Sequence, residues 1–304
     1  MAALLYHLFS SSALVSLGLY NLISSTCSYL KSPHSYSAKP FHPFSSHHHR
    51  LRHLPLYLII VFLLLALFHQ LFISSDPDPL LKGGTSVHRF TSLQSAAVLF
   101  LFFILSLSLL LSDSSSLLPL PTDLIFALAS ALFFLQYSVS ASAASVQTSG
   151  LEAKCDAVSA RISAIAALLC LVLACKPRLF VADVGLGASI FLQGLWVLQT
   201  GLSLYVDAFI PEGCHRLLDV VNGVEGSTKC DVEEFKFRAV AILDLMFLVH
   251  VMVVVVVVMI TYVFVGKSVG IKRSSSYEAL PNASSSHENN LSHIQMKSLT
   301  GTQA

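Results

Sequence analysis

Histidines are concentrated in one stretch between the first two long apolar segments of the chain. They are His34, His42, His47, His48, His49 and His53. Clustered imidazoles can bind Zn²⁺ or Cu²⁺. Adjacent histidines in a flexible loop lack the fixed geometry that a metal centre needs. We therefore expect a solvated, weakly basic loop, with metal binding as the alternative.

A second set of polar groups lies inside the apolar segments themselves. The set comprises His69, Gln70, Gln136, Asp244 and His250. An ionisable side chain within a membrane is a candidate functional group. Asp244 and His250 are six residues apart, about 240° around a helix, so they cannot pair directly. We expect these groups to face the interior of a bundle as hydrogen-bonding groups. The alternative is a transport or proton site.

The sequence lacks the short motifs of common catalytic sites. It contains no Walker loop, His-Glu-x-x-His, Gly-x-Ser-x-Gly or paired Cys-x-x-Cys. Cys170 and Cys175 fall within or at the end of one apolar segment, where we expect packing thiols. The net charge of +1 provides no basic field for nucleic acid. We expect no enzyme activity, no cofactor and no nucleic-acid partner.

Long uncharged apolar runs must position all of these groups. Hydrophobic residues make up 54% of the chain and charged residues 12%, whereas an ordinary soluble protein has about 25% charged residues. A membrane span needs about 20 apolar residues. We predict an all-α membrane protein, with a bundle of about seven transmembrane helices within residues 1–266. The predicted spans are about 3–29, 54–73, 90–111, 122–144, 157–175, 180–206 and 239–265.

Basic residues between the predicted spans indicate an orientation. With seven spans, the basic stretches at 31–52, 176–178 and 267–273 fall on one side of the membrane. The positive-inside rule makes that side cytosolic. We expect the N-terminus outside or in a lumen, in the plasma membrane or the endomembrane system. Residues 267–304, rich in Ser, Asn and His, should form a disordered cytosolic tail.

Glycines mark one face of the sixth predicted helix. Gly187, Gly194 and Gly201 recur every seven residues and therefore share a side of the helix. Small residues let a neighbouring helix approach closely in lipid. We predict that this glycine stripe packs against another helix.

A polar and aromatic face lies beside the stripe. Gln193, Trp196 and Thr200 are spaced at i, i+3 and i+7. We predict a polar core made of Gln193, Trp196, Gln199, Asp244 and His250. Hydrogen bonding between helices is the favoured interpretation and a binding surface is the alternative. A water-lined cavity joining these groups would favour transport, whereas a dry, solid core would favour a non-transporting protein.

The same helix carries a family resemblance. Residues 191–205 read Phe-Leu-Gln-Gly-Leu-Trp-Val-Leu-Gln-Thr-Gly-Leu-Ser-Leu-Tyr. This segment resembles the Leu-Gln-Gly-Trp-Gln-Gly segment of the transmembrane protein 45 family and, more closely, that family's plant branch of uncharacterised multi-pass proteins. Residues 150–152, 211–215 and 238–241 agree with it. The resemblance implies about seven membrane helices and brings no established activity.

The chain departs from the family pattern in its histidines. Relatives typically have several around the end of the fourth span and just after the Gly-Leu-Glu segment. Residues 134–142 and 152–156 contain none. Any metal or proton role of those histidines elsewhere does not transfer to this chain.

Two cysteines flank the centre of the sixth loop. Cys214 and Cys230 are the only cysteines of that loop, and the predicted topology places it in an oxidising compartment, where disulfides persist. We predict that they form a disulfide. The alternatives are two free thiols or a bridge to Cys155, which lies on the same side.

The tail contains a short sorting pattern. Tyr277 and Leu280 fit Tyr-x-x-bulky apolar, which binds an adaptor in extended form. We therefore expect a multi-pass membrane protein without a catalytic site, acting through membrane-protein partners and tail-directed trafficking. The alternative is a small-ion or metal transporter that uses the intramembrane polar residues.

Overall fold

A computed structural model describes residues 2–43, 53–75, 87–114, 119–147, 149–218 and 225–269. Within these ranges it contains seven long helices, each long and apolar enough to cross a membrane. The helices are α1 (Ala2–Lys31), α2 (Leu54–Ser75), α3 (Val87–Ser114), α4 (Thr122–Val146), α5 (Gly150–Cys175), α6 (Phe180–Tyr205) and α7 (Glu233–Ser268). The predicted fold class is confirmed.

Two helices begin earlier than the hydropathy predicts. α5 begins at Gly150 rather than 157, because the Ser149 side chain accepts a hydrogen bond from the Glu152 N–H and caps its first turn. α7 begins at Glu233 rather than 239, and the acidic residues of its first turn complement the helix dipole. These polar turns extend the helices beyond their apolar parts. At its other end α7 continues to Ser268, and the expected tail from residue 270 onward lies outside the described residues.

The bundle is built around α5 and α6, the most buried of the seven helices. α1 packs along α6, and α4 packs along α5. α2 lies against α3, α3 against α4, and α7 contacts α1, α5 and α6. Trp196 of α6 is 1% exposed and lies in an apolar core with side chains of α5 and α7. Outward residues such as Phe72 and Phe264 are more than 70% exposed, as a lipid-facing surface requires.

A short β-hairpin joins α6 to α7. Strands β1 (Cys214–Leu218) and β2 (Glu225–Cys230) pair antiparallel, with Cys214 opposite Cys230. Gly213 precedes β1 with φ 79°, and a Cβ there would lie 2.3 Å from the Phe235 ring. Glycine is needed at this position for both reasons. We did not predict the hairpin from the sequence.

The two ends of the bundle are named by what lies there. The hairpin end carries β1 and β2, and the first-loop end carries residues 32–43. Near the hairpin end, the Lys154 ammonium lies 2.6 Å from the Asp244 carboxylate. At 1.5 Å per residue, Lys154 is about 32 Å along α5 from Cys175, and Asp244 is about 35 Å along α7 from Lys267. Both lengths match a hydrocarbon layer about 30 Å thick.

Candidate functional site

The glycine stripe of α6 faces α1. A Cβ on Gly194 would lie 2.7 Å from the Val15 backbone nitrogen, and one on Gly201 would lie 2.6 Å from the Cβ of His7. A Cβ on Gly187 would lie 3.2 Å from Leu22. All three glycines therefore let the α1 backbone approach α6 more closely than a larger residue would allow.

α1 contributes a glycine of its own to this interface. A Cβ on Gly18 would lie 2.5 Å from the backbone nitrogen of Phe191 in α6. Glycines of both helices therefore allow the close approach of α1 and α6. Gly18 carries no signal in the sequence, because a single glycine in a Ser-rich helix has no periodic partner to mark it.

The polar face of α6 bonds mainly to α5. The Gln193 amide donates to the Ser159 hydroxyl at 2.6 Å, and the Trp196 indole N–H donates to the Cys155 carbonyl at 3.0 Å. The Gln199 amide donates to a serine one turn further along α6 at 2.9 Å. Within the described part of the chain, the other amide atom of Gln193, Oε1, is buried without a hydrogen-bond partner. This face joins helices by direct bonds.

The predicted polar core does not converge on one point. His250 lies edge-on to Trp196, with ring centroids 6.3 Å apart, and its Nδ1 is 2.6 Å from the Met246 carbonyl one turn earlier in α7. Asp244 lies apart from these groups: its side chain is 52% exposed and pairs with Lys154. The Asp244 carboxylate is half-exposed on the outside of the bundle, whereas the three α6 side chains are bonded between or along the packed helices.

The other polar groups of the apolar segments also have local partners. The Gln70 amide donates to Ser92 at 3.3 Å and links α2 to α3. The Gln136 amide donates to a serine one turn along α4 at 3.2 Å. The His69 ring stacks on the Tyr6 ring of α1, with centroids 3.9 Å apart. The contacts of Gln70 and His69 therefore join two helices, whereas Gln136 bonds within α4.

A buried chain of polar side chains lies at the first-loop end. The Tyr36 hydroxyl donates to the carboxylate of Asp183, in the first turn of α6. Ser25 of α1 lies close to the Tyr36 side chain, and the Ser25 Oγ is 3.4 Å from the His42 Nε2. All four side chains are less than 9% exposed. They connect residues 32–43 to both α1 and α6, and we call them the Asp183 chain.

Burial sets the ionisation of the two loop members of the Asp183 chain. Burial raises the pKa of Tyr36, and the neighbouring Asp183 carboxylate raises it further. Burial also lowers the pKa of His42; Asp183 opposes this shift and Lys39 adds to it. Tyr36 and His42 are therefore both neutral at pH 7.

The expectation of a solvated histidine loop is wrong for two of its members. His42 and His53 are buried, while His34 is exposed. The described ends of this loop are held by two contacts: the Ala38 N–H donates to the Pro177 carbonyl at 2.7 Å, and the His53 Nδ1 lies 3.2 Å from the Asp113 carboxylate. In the ranges that the structure describes, no group of three or more metal-ligating side chains occurs. Residues 47–49 lie outside those ranges.

The hairpin closes the opposite end of the bundle. Cys214 and Cys230 form the predicted disulfide, which is confirmed. Thr228 is buried and donates to the Leu204 carbonyl at 3.2 Å, while the Ser149 hydroxyl donates to the Thr228 carbonyl at 2.6 Å. These bonds attach the hairpin to α5 and α6. The predicted sorting residues Tyr277 and Leu280 lie outside the described residues.

Three of the groups that organise these sites were not singled out from the sequence. The sequence contains a usable signal for Asp183, because it is a lone acidic residue at the start of an apolar helix. Tyr36 had none, since its partner is 147 residues away. Lys154 had none either, since its partner Asp244 is 90 residues away in the chain.

The fold and its apolar surface define a multi-pass integral membrane protein. A family model described as "Family of unknown function (DUF716)" matches residues 122–263, slightly under half of the chain, from the start of α4 into α7. It is the domain of the transmembrane protein 45 family, in agreement with the resemblance found in the sequence. No curated protein matches the chain.

Proposed function

We propose that the chain is a non-enzymatic membrane protein that acts through membrane-protein partners. The observation that carries this proposal is the bonding of the α6 polar face. Gln193 and Trp196 bond directly to α5, and Asp244 is not joined to them. Side chains bonded in this way hold helices together and leave the exposed outer faces to make contacts with other proteins.

Site-specific photocrosslinking in intact membranes tests for a protein partner. Phe264 is 73% exposed on α7, whereas Leu243 of the same helix is 2% exposed. A crosslinker at Phe264 should give a discrete protein adduct, and one at Leu243 should crosslink only within the chain. Lipid adducts alone from Phe264 and from other outward positions of α7 would contradict the proposal.

We also propose that the tail directs sorting through Tyr277 and Leu280. Support comes from the spacing of the two residues and from their place soon after the last membrane helix. Replacing both with Ala should change the steady-state location of the protein. Glu278→Ala is the matched control, because the pattern leaves that position variable. If all variants had the same steady-state location as wild type, Tyr277 and Leu280 would have no role in sorting.

The proposed orientation places the hairpin end outside or in a lumen and the tail in the cytosol. The Cys214–Cys230 disulfide supports it, because disulfides persist in oxidising compartments. Asn282 and Asn290 begin glycosylation sequons, and with a cytosolic tail neither is modified. A glycosidase-sensitive mass shift that disappears when both are replaced would reverse the orientation.

The finer family assignment is a proposal as well. The segments 150–152, 191–205 and 211–215 support membership of the plant branch of the transmembrane protein 45 family. Two of them belong to the helices that form the buried core, and the third leads into strand β1 of the hairpin.

Transport of a small ion is the second candidate function, and the Asp183 chain favours it. A buried carboxylate in a membrane helix is a candidate ion or proton site. Proteoliposomes with a pH-sensitive dye inside test this candidate. A proton flux present in wild type and absent in Asp183→Asn would favour transport over the first proposal. Equal traces for wild type and protein-free vesicles would exclude proton transport by the purified chain.

A further inference from the structure

One face of α5 is apolar and exposed except for a single arginine. The exposed residues on this face are Arg161, Ile165, Leu168 and Val172. Their spacing of four, three and four residues places them on one side of the helix. Leu168 is 63% exposed and Ile165 is 48% exposed, so this stripe is turned outward, toward lipid.

Arg161 lies well inside the apolar length of α5. It is seven residues, or about 10 Å, from Lys154 toward the middle of the helix. The Lys154–Asp244 pair lies near the hairpin-side boundary of the hydrocarbon layer, as the helix lengths above indicate. The backbone of Arg161 is therefore below that boundary, in the leaflet on the hairpin side.

Arg161 differs from Lys154, which lies beyond the apolar stripe toward the hairpin end. Seven residues is close to two helical turns, so Lys154 and Arg161 point in nearly the same direction. Lys154 has its counter-charge in Asp244 of α7. In the part of the chain that the structure describes, Arg161 has no ion pair or side-chain hydrogen bond. A charge in hydrocarbon without a partner is costly, so a counter-charge from outside the chain is required.

We propose that Arg161 binds the phosphate of a phospholipid in the leaflet on the hairpin side. Its long side chain lifts the guanidinium toward the headgroup level while the stem stays against the apolar stripe. A guanidinium matches the geometry of phosphate oxygens with two parallel hydrogen bonds. One acyl chain then lies along Ile165, Leu168 and Val172. This lipid site does not depend on the protein-partner proposal.

Native mass spectrometry of the full chain in a mild detergent tests the lipid site. The probes are phosphatidylglycerol and a diacylglycerol with the same acyl chains. The expected result is that Arg161→Gln binds phosphatidylglycerol about tenfold more weakly than wild type. The affinity of Arg161→Lys for phosphatidylglycerol should lie between those of wild type and Arg161→Gln. Lysine keeps the positive charge but cannot donate two parallel hydrogen bonds to the phosphate. Diacylglycerol should bind wild type and Arg161→Gln equally.

Arg238→Gln is the matched control. Arg238 is exposed near the hairpin end and already pairs with Glu212 at 3.4 Å, so its replacement should leave phosphatidylglycerol binding unchanged. An excess of inorganic phosphate should not displace the lipid, and displacement would assign the site to free phosphate. Wild-type affinity in both Arg161 variants would overturn the proposal and would point instead to an acidic residue of a partner protein as the counter-charge.

Discussion

Gly194 offers the sharpest test of the packing between α1 and α6. A Cβ at this position would lie 2.7 Å from the Val15 nitrogen and 3.0 Å from the Leu14 Cβ. The nearest obstacle is backbone, which cannot rotate away. To reach the 3.4 Å of an ordinary contact, α1 must move by about 0.7 Å. Gly194→Ala therefore overpacks the interface by a single methyl group.

The expected loss of stability follows from two opposing effects. Overpacking a well-packed interior costs about 1–3 kcal/mol, and Ala is favoured over Gly within a helix by about 1 kcal/mol. Gly185→Ala, in the same helix, is the matched control. Its Cβ would lie 3.3 Å from the mobile tip of Leu169, which can give way by a few tenths of an ångström. The helix preference cancels between the two variants, so Gly194→Ala should be less stable by about 1–3 kcal/mol.

Trp196 provides the assay, because it is the only tryptophan of the chain and is buried in α6. Titration of detergent-solubilised protein with SDS, followed by Trp196 fluorescence, gives the free energy of unfolding. Gly194→Ala should unfold at lower SDS than Gly185→Ala, and Gly194→Leu should not fold normally. Equal unfolding midpoints for the two alanine variants would refute the close packing, and the glycine stripe would then face lipid.

Three further predictions concern other parts of the bundle. Non-reducing peptide mapping should recover Cys214 linked to Cys230, and free alkylatable thiols at both positions would contradict the bridge. Loss of the bridge should lower the free energy of unfolding by about 3 kcal/mol for a loop of this length. Burial keeps the pKa of His42 below its ordinary 6.5, so docking of residues 32–43 is stable above that pH and weakens as the pH falls. The protection of the amides in this loop, taken as exchange relative to the intrinsic rate at each pH, should fall from pH 7.5 to 5.5 in wild type, and a similar fall in His42→Gln would refute the role of His42. Trp196→Phe removes the indole donor to the Cys155 carbonyl, which lies within α5, and should lower the free energy of unfolding by about 1 kcal/mol, measured by circular dichroism; an unchanged midpoint would show that the bond contributes nothing.

The fold was predictable from the sequence where a short-range pattern determined the structure. Apolar runs long enough to span a membrane correspond to the seven helices. The seven-residue spacing of glycines indicated a single packing face, and the structure places α1 against it. Cys214 and Cys230 were identified because they are the only cysteines of their loop. Each inference used residues close together in the chain.

What the sequence did not reveal depends on distant contacts or on polar segments. The hairpin of β1 and β2 has no alternation of apolar and polar residues, and its pairing is fixed by the disulfide and by Thr228 bound to α5 and α6. The Asp183 chain joins a loop to a helix 147 residues later. His42 looked like a solvated histidine because its burial is created by that contact.

The two ends of the bundle are held by different kinds of chemistry, and this difference determines where the protein can rearrange at least cost. At the hairpin end, a covalent bond between Cys214 and Cys230 does not respond to pH. Along the middle, glycines bring α1 and α6 into backbone contact, and close-packed interiors resist gradual deformation. The first-loop end relies on hydrogen bonds among titratable side chains, and one of them, His42, must stay neutral to remain buried. We therefore expect any opening of the bundle to begin with release of residues 32–43, which would expose Asp183 at the start of α6.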